Sequence, residues 1–267
     1  MYIIPPEFAQ FISPDCDRML FIQNYLNNAG LECPVIQLEG KNHLYVKFAH
    51  NQYDPLFKIK TVIAHYDRIG TGANDNSAAV FCLLQWAAYL ATLKTTHNIR
   101  LVFTDGEELG TGGVQEQGAF ALAKVFKRLG ITNDEVYVFD CMGRGDVPIL
   151  AQTQLSSKVS PQFSKTFEAL EQQAQRLIQK SADGKWFCLP CSWSDNASFI
   201  ANGIPAVAIT MLPASEVNDV LNGERPYTWQ LFHTPQDNLE SLTPVSFQIF
   251  HNLLKNLARQ KTLVYNR

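Results

Sequence analysis

The chain has 267 residues, 46% of them hydrophobic and 18% charged, and carries a formal net charge of -3. That length and apolar fraction suit one α/β domain with a core large enough to need no disulfide scaffold. A slightly acidic balance without a dense Lys/Arg run excludes a nucleic-acid-binding surface and points away from polyanionic substrates. The opening residues, MYIIPPEFAQF, show no basic leader followed by a long apolar core. The longest apolar stretch, 78–93, is interrupted by Gln85 and falls short of the ~20 residues of a membrane span. The expectation is a cytoplasmic protein without a membrane partner.

In chain order, Leu20, Phe21, Tyr25 and Leu26 at helical spacing before Gly30 predict an amphipathic helix over 15–29. Segments 34–38 and 43–48, separated by Glu39-Gly40-Lys41-Asn42, predict a hairpin that feeds the next strand and makes the sheet mixed. The apolar run 61–64 reads as a buried strand that delivers His65 and Asp67 at its carboxyl end. Side chains alternate along a strand, so a spacing of two sets imidazole and carboxylate on one face. There the carboxylate can hold one ring nitrogen while the other binds a metal. A glycine-rich turn then brings Asp75 to the start of an apolar helix over 76–94, where it reads equally well as an N-cap.

Strand 98–104 carries Asp105-Gly106-Glu107-Glu108 at its carboxyl end, and helix 115–129 with strand 135–140, ending in Asp140, repeats the unit. Helix 160–180 has Phe163, Phe167, Leu170, Ala174 and Leu177 on one stripe. A short helix over 197–201, a strand over 204–210, a loop over 213–232 leading into Phe232-His233-Thr234 and a helix over 244–259 complete the chain. With no internal repeat and no linker, residues 1–267 read as a single domain. Its fold class is α/β: a mixed, mostly parallel sheet with helices on both faces and a ligand crevice beyond the carboxyl ends of the strands.

Cys16, Cys33, Cys82 and Cys141 are scattered mostly among apolar neighbours, as reduced core thiols are. Cys188-Leu-Pro-Cys191 is a lone CxxC, a weak zinc signal that reads as structural, or else as a local disulfide lining a pocket. The strand ends present His65 with Asp67, Asp75, the pair Glu107-Glu108, Asp140 and, from the loop, His233. Singly, each has a bland explanation in helix capping or exposure. Nitrogen and oxygen donors gathered from separate strand ends of one parallel sheet suit zinc, with cobalt or manganese as substitutes.

Six segments resemble one family: AHYD at 64–67, GANDNSA at 72–78, DGEELGTGG at 105–113, FDCMG at 139–143, SDNASFIANGIPAVAI at 194–209 and FHTPQDN at 232–238. In this order they are similar to the zinc exopeptidases of the M28 aminopeptidase type, a family that also contains the glutaminyl cyclases. The resemblance implies a zinc-dependent aminopeptidase, a metallopeptidase acting on a peptide or small amide, with two zinc ions and one as the lesser possibility. It assigns Asp75 as the bridging ligand, His65 and Asp140 to one metal, Glu108 and His233 to the other, Glu107 as general base and Asp67 as the carboxylate that orients His65. It further implies a cis peptide bond between Asp75 and Asn76. The charges agree: two zinc ions at +4, three carboxylates at -3 and one hydroxide at -1 leave a neutral cluster whose burial carries no net Born charge.

Departures from the family pattern are Asn196, where many members have His after the Asp, and Arg144 beside the Asp140 segment. Arg144 reads as the partner of Asp146; the other reading is a binder of a substrate carboxylate, which would fit a dipeptidase or carboxypeptidase better. Trp193, Phe199, Met211, Trp229 and Phe232 flank the motifs, as candidates for an apolar specificity pocket with core packing as the commoner fate. Two alternatives stand beside the aminopeptidase: a glutaminyl cyclase-like enzyme with one zinc, and a non-catalytic binding module that retains the fold. The peptidase-like loop at 105–119 argues against the first, and the intact set of five ligands and a base against the second.

Overall fold

The computed structural model describes residues 3–264. Pro6 opens the short helix α1 (Pro6–Ile12), and the Asp17 carboxylate accepts from the Leu20 amide to cap α2 (Arg18–Asn28). The helix expected over 15–29 therefore starts later, at its cap. Helix α1 is absent from the sequence reading because seven residues behind two prolines are too few to show a period.

Strands β1 (Val35–Leu38) and β2 (Lys41–Val46) form the expected hairpin, although β2 pairs with β4 (Ile99–Thr104) rather than with β3 (Lys60–His65). Every residue of β3 is buried, which requires cover on both faces and a neighbour on each edge. Its neighbours are β4 and β5 (Glu135–Phe139), both parallel to it. Beyond β5 lie β8 (Ala206–Leu212), parallel, then β6 (Val147–Ala151), antiparallel, and β7 (Phe187–Leu189) at the edge. The order is β1-β2-β4-β3-β5-β8-β6-β7. Neither β6 nor β7 is legible in the sequence. Pro148 sits inside β6, where a proline argues against a strand, and β7 has three residues.

Alternation along the central strands divides the core. Val62, Ala64, Leu101, Phe103, Tyr137 and Phe139 pack with α3 (Ala78–Thr92), α9 (Pro244–Arg259) and α5 (Pro161–Ser181), while Ile63, Val102, Val136 and Val138 face α4 (Gly118–Arg128) and α6 (Asp195–Ala201). The loop expected over 213–232 contains two short helices, α7 (Val217–Leu221) and α8 (Tyr227–Gln230), which Asn222, Gly223 and Pro226 keep from joining. Among the described residues, no helix is long and apolar enough to cross a membrane.

Two registers align the functional edge. His65 lies level with Thr104, and the Asp140 amide donates to the Ile209 carbonyl. The carboxyl ends of β3, β4 and β5 thus finish together, and β8 runs on past them to Leu212.

Phe81 on α3 joins the outer helices to this body, with ring centroids 5.4 Å from Phe8, 6.4 Å from Phe11 and 6.0 Å from Tyr25. It is 1% exposed, so Phe81→Ala should cost about 3–5 kcal/mol. The expected result is a lower urea midpoint with an unchanged slope.

Candidate metal centre

The structure brings His65, Asp75, Asp140, Glu108 and His233 together. Ligand atoms of His65, Asp75 and Asp140 all lie within 4.8 Å of one another, as do those of Asp75, Glu108 and His233. Asp75 belongs to both groups and divides its oxygens between them. Its Oδ1 is 3.4 Å from His65 Nε2, and its Oδ2 is 3.4 Å from His233 Nε2. His65 Nε2 is also 3.4 Å from Asp140 Oδ1, and His233 Nε2 is 2.8 Å from Glu108 Oε2.

Local structure explains how a short side chain comes to face two ways. The turn Ala73–Ser77 leads into α3, its Asp75–Asn76 peptide is cis as the resemblance implies, and both flanking asparagines are tied down. Asn74 Oδ1 accepts from the Gly143 amide at 2.7 Å. Asn76 donates to the Phe139 carbonyl at 2.9 Å and accepts from the Cys141 amide at 3.1 Å, gripping the end of β5 on both sides of Asp140. From the opposite side the Asp237 carboxylate accepts from the Asn74 and Asp75 amides at 2.7 and 3.1 Å. Gly72, at φ +56, admits the turn: a Cβ there would lie 2.4 Å from the Asp75 carbonyl oxygen. Asn74, Asn76 and Asp237 have no role in the sequence reading. Their signal was an acid bracketed by two asparagines at an apolar helix start, and an aspartate four residues after a ligand histidine.

Asp67 does more than orient His65. Its Oδ1 is 3.5 Å from His65 Nδ1, and its two oxygens accept from the Glu107 and Glu108 amides at 3.2 and 3.0 Å. One carboxylate thereby fixes a histidine on β3 and the acidic turn after β4. Glu107 points at the same space, its Oε1 accepting from Gln117 Nε2 at 2.9 Å.

The donor set fits a cation. His65 Nε2 and Glu108 Oε1 are buried without a hydrogen-bond partner, and three of the four histidine–carboxylate separations among the five clustered residues are 3.4 Å, too long for a good hydrogen bond. Ligands ~2.0–2.1 Å from a tetrahedral zinc stand about 3.3–3.4 Å apart. The electrostatics require positive charge here. Burial of the His65 ring opposes protonation, yet Asp140, Asp67 and Asp75 hold its imidazolium well above the ordinary range. Burial would raise Asp75, but His233 and His65 depress it far below an ordinary carboxylate. Burial, opposed by His65 and reinforced by Asp140, Asp195 and Asp75, pushes Glu107 up to about 9. Burial and the charge of Asp75 lift Glu108 to about 7, and burial likewise raises Asp195 to about 7.

The family profile of peptidase family M28 matches residues 46–258. The chain belongs to peptidase family M28. No curated protein sequence matches this M28 chain at a significant level. Among solved structures, it is similar to the LapA aminopeptidase of Legionella pneumophila, with a TM-score of 0.67 and 17% identity over 97% of this chain and 75% of the other. It is similar to the glutaminyl cyclase of Porphyromonas gingivalis, with a TM-score of 0.63 and 16% identity over 97% and 91% of the two chains. A Zn-dependent exopeptidase from Parabacteroides distasonis gives 0.68 and 15% over 95% and 96%. Identities this low establish a shared fold.

One reading of the sequence is overturned and two left open are resolved. Arg144 does not pair with Asp146, whose carboxylate caps the Ala214 amide. Gly145, at φ +128, turns the two side chains apart, and Arg144 donates to Thr228 Oγ1 and the Ser241 carbonyl, with Glu216 3.8 Å away. Cys188 and Cys191 are both free thiols, and Cys191 lines a cleft beside Asp140. Of the five flanking aromatic or apolar residues, Trp193, Trp229 and Phe232 line that cleft, while Phe199 and Met211 are fully buried in the core.

Glu107, Glu108 and Asp195 keep protons in the folded chain that an unfolded chain releases near pH 4.5 or below, and His65 does so above its ordinary 6.5. The folded state therefore binds more protons than the unfolded state across about pH 5–9, and stability falls as pH rises. In chelator the thermal midpoint should drop from pH 6 to pH 9. Zinc displaces those protons, so the midpoint gain on adding zinc should be larger at pH 8.5 than at pH 6. Calorimetry with and without zinc at both pH values measures this.

Proposed function

We propose that this protein is a zinc-dependent aminopeptidase that hydrolyses the first residue from a peptide or small amide, with His65, Asp75, Glu108, Asp140 and His233 as ligands and Glu107 as general base. The observation that carries the reading is the divided carboxylate of Asp75, which gives two adjacent ligand groups where a single-zinc cyclase needs one. Zinc held there would polarise a scissile carbonyl and acidify a water.

The chain's own residues supply the rest. No described residue donates to Glu107 Oε2, since the amide of Gln117 occupies only Oε1. Oε2 is thus free to take a proton from the attacking water and return it to the leaving amine. Trp193, Trp229, Phe232 and Ile209 line the cleft beside Asp140 and offer the terminal side chain an apolar seat. The acidic lining favours an amino terminus over a carboxylate. Arg144, the cation that could have met a carboxylate, is committed to Thr228, Ser241 and Glu216.

The test is a panel assayed with zinc-loaded protein: leucine p-nitroanilide, its N-acetylated counterpart and an N-terminal glutaminyl peptide. Hydrolysis of the first and not the second supports the aminopeptidase. Ammonia release from the third without peptide cleavage identifies a cyclase, and zinc binding without turnover identifies a binding module. Glu107→Gln should keep zinc and folding but lose at least 10² to 10⁴ in both kcat and kcat/KM. Glu108→Gln should lose zinc affinity first.

A further inference from the structure

Glu107 lies near the start of the connection 105–117 from β4 to α4, which doubles back, through two 3-10 turns at Glu108–Gly112 and Val114–Glu116, to set Gln117 beside it. Gln117 is 4% exposed. Its Nε2 donates to Glu107 Oε1 at 2.9 Å, and its Oε1 accepts from Ser198 Oγ on α6 at 2.7 Å. Ser198 is itself fully buried. Room for this side chain comes from Gly110, where a Cβ would stand 2.7 Å from Gln117 Cγ and 3.2 Å from its Nε2. Gly110 is therefore required as glycine by the space the glutamine occupies.

We propose that Gln117 is a positioning residue for Glu107, with Ser198 orienting its amide and Gly110 making its path. The proposal rests on the reading of Glu107 as the base. A carboxylate on a flexible stem can exchange its oxygens by rotation, and only one of them can serve the reaction at a time. With Oε1 held by an N–H donor, the incoming proton must settle on Oε2. The reverse orientation of the amide would set its carbonyl against the Glu107 carboxylate and is excluded by repulsion. The loop does not need this side chain to close. The Gly118 amide donates to the Gly106 carbonyl, and the Gly110, Gly113, Glu116 and Gln117 amides each donate within the two turns.

The experiment compares zinc-loaded wild type, Glu107→Gln, Gln117→Met, Ser198→Ala and the Glu107→Gln/Gln117→Met double variant on whichever amide of the panel the wild type turns over fastest, with zinc content and thermal midpoint recorded for each. Gln117→Met should lower kcat about 10- to 100-fold, the range for losing a group that orients a functional one, with KM within twofold and zinc retained. Ser198→Ala should fall in the same direction by less. In the Glu107→Gln background, Gln117→Met should change the residual rate no further, because it acts through the carboxylate already removed. Gly110→Ala leaves the chemistry of Gln117 intact but crowds its stem, and should reproduce the loss of kcat if Gln117→Met folds poorly. Full turnover by Gln117→Met beside an inactive Glu107→Gln overturns the positioning role and spares the base. Equal losses in both backgrounds, or loss of zinc, overturn it in favour of a purely structural loop contact. Wild-type turnover by Glu107→Gln, or a wild type inactive on the whole panel, overturns both.

Discussion

One carboxylate that must face two ways governs the carboxyl edge of this sheet. An aspartate side chain has two torsions and a single carbon beyond Cβ, so it cannot reach two histidines on its own; the backbone that bears it must be put in place. That requirement accounts for the turn at Gly72, for Asn76, which grips the end of β5, for Asn74, which accepts from the Gly143 amide, and for Asp237, which holds the same turn from the far side. Asn74, Asn76 and Asp237 are all buried, and the oxygens of each accept a hydrogen bond that fixes the turn. Burial and positioning are the same set of contacts.

The acid-rich character of the cluster follows from where the sheet ends. Parallel strands that finish level deliver their terminal side chains to one small volume, and here those side chains are carboxylates and imidazoles with few waters' worth of space between them. Buried like charges raise one another's proton affinity unless a cation intervenes. The proton affinities of Glu107, Glu108 and Asp195 are the mark of that unmet charge, and Asp67 relieves part of it by accepting two backbone amides.

The central β3–α3–β4–α4–β5 succession was legible in the sequence because each strand is a mainly apolar run that stops at a polar residue, and the five clustered side chains because they stand in segments that resemble the family's. The sheet's β6 and β7 were not, since Pro148 disguises one and three residues are too few to reveal the other. Nor was the scaffolding of the site. Asn74, Asn76 and Asp237 find partners 63 to 163 residues away, and Ser198 meets Gln117 across 81. Such residues look like ordinary surface polars until the chain is folded. Arg144 shows the converse error: a nearby Asp146 in sequence invites a pairing that the Gly145 turn forbids.

The two histidines occupy very different surroundings. His65 belongs to a strand buried along its whole length and its side chain has no exposure, whereas His233 sits at φ +62 just past the short helices of the 213–232 segment with 43% of its side chain exposed. An acylating reagent meets the His233 ring at the surface, whereas the buried His65 ring offers it no exposed face. The two rings are thus unequally reachable: chemical modification should begin at His233, while the group around His65 opens only toward the cleft that Asp140 lines.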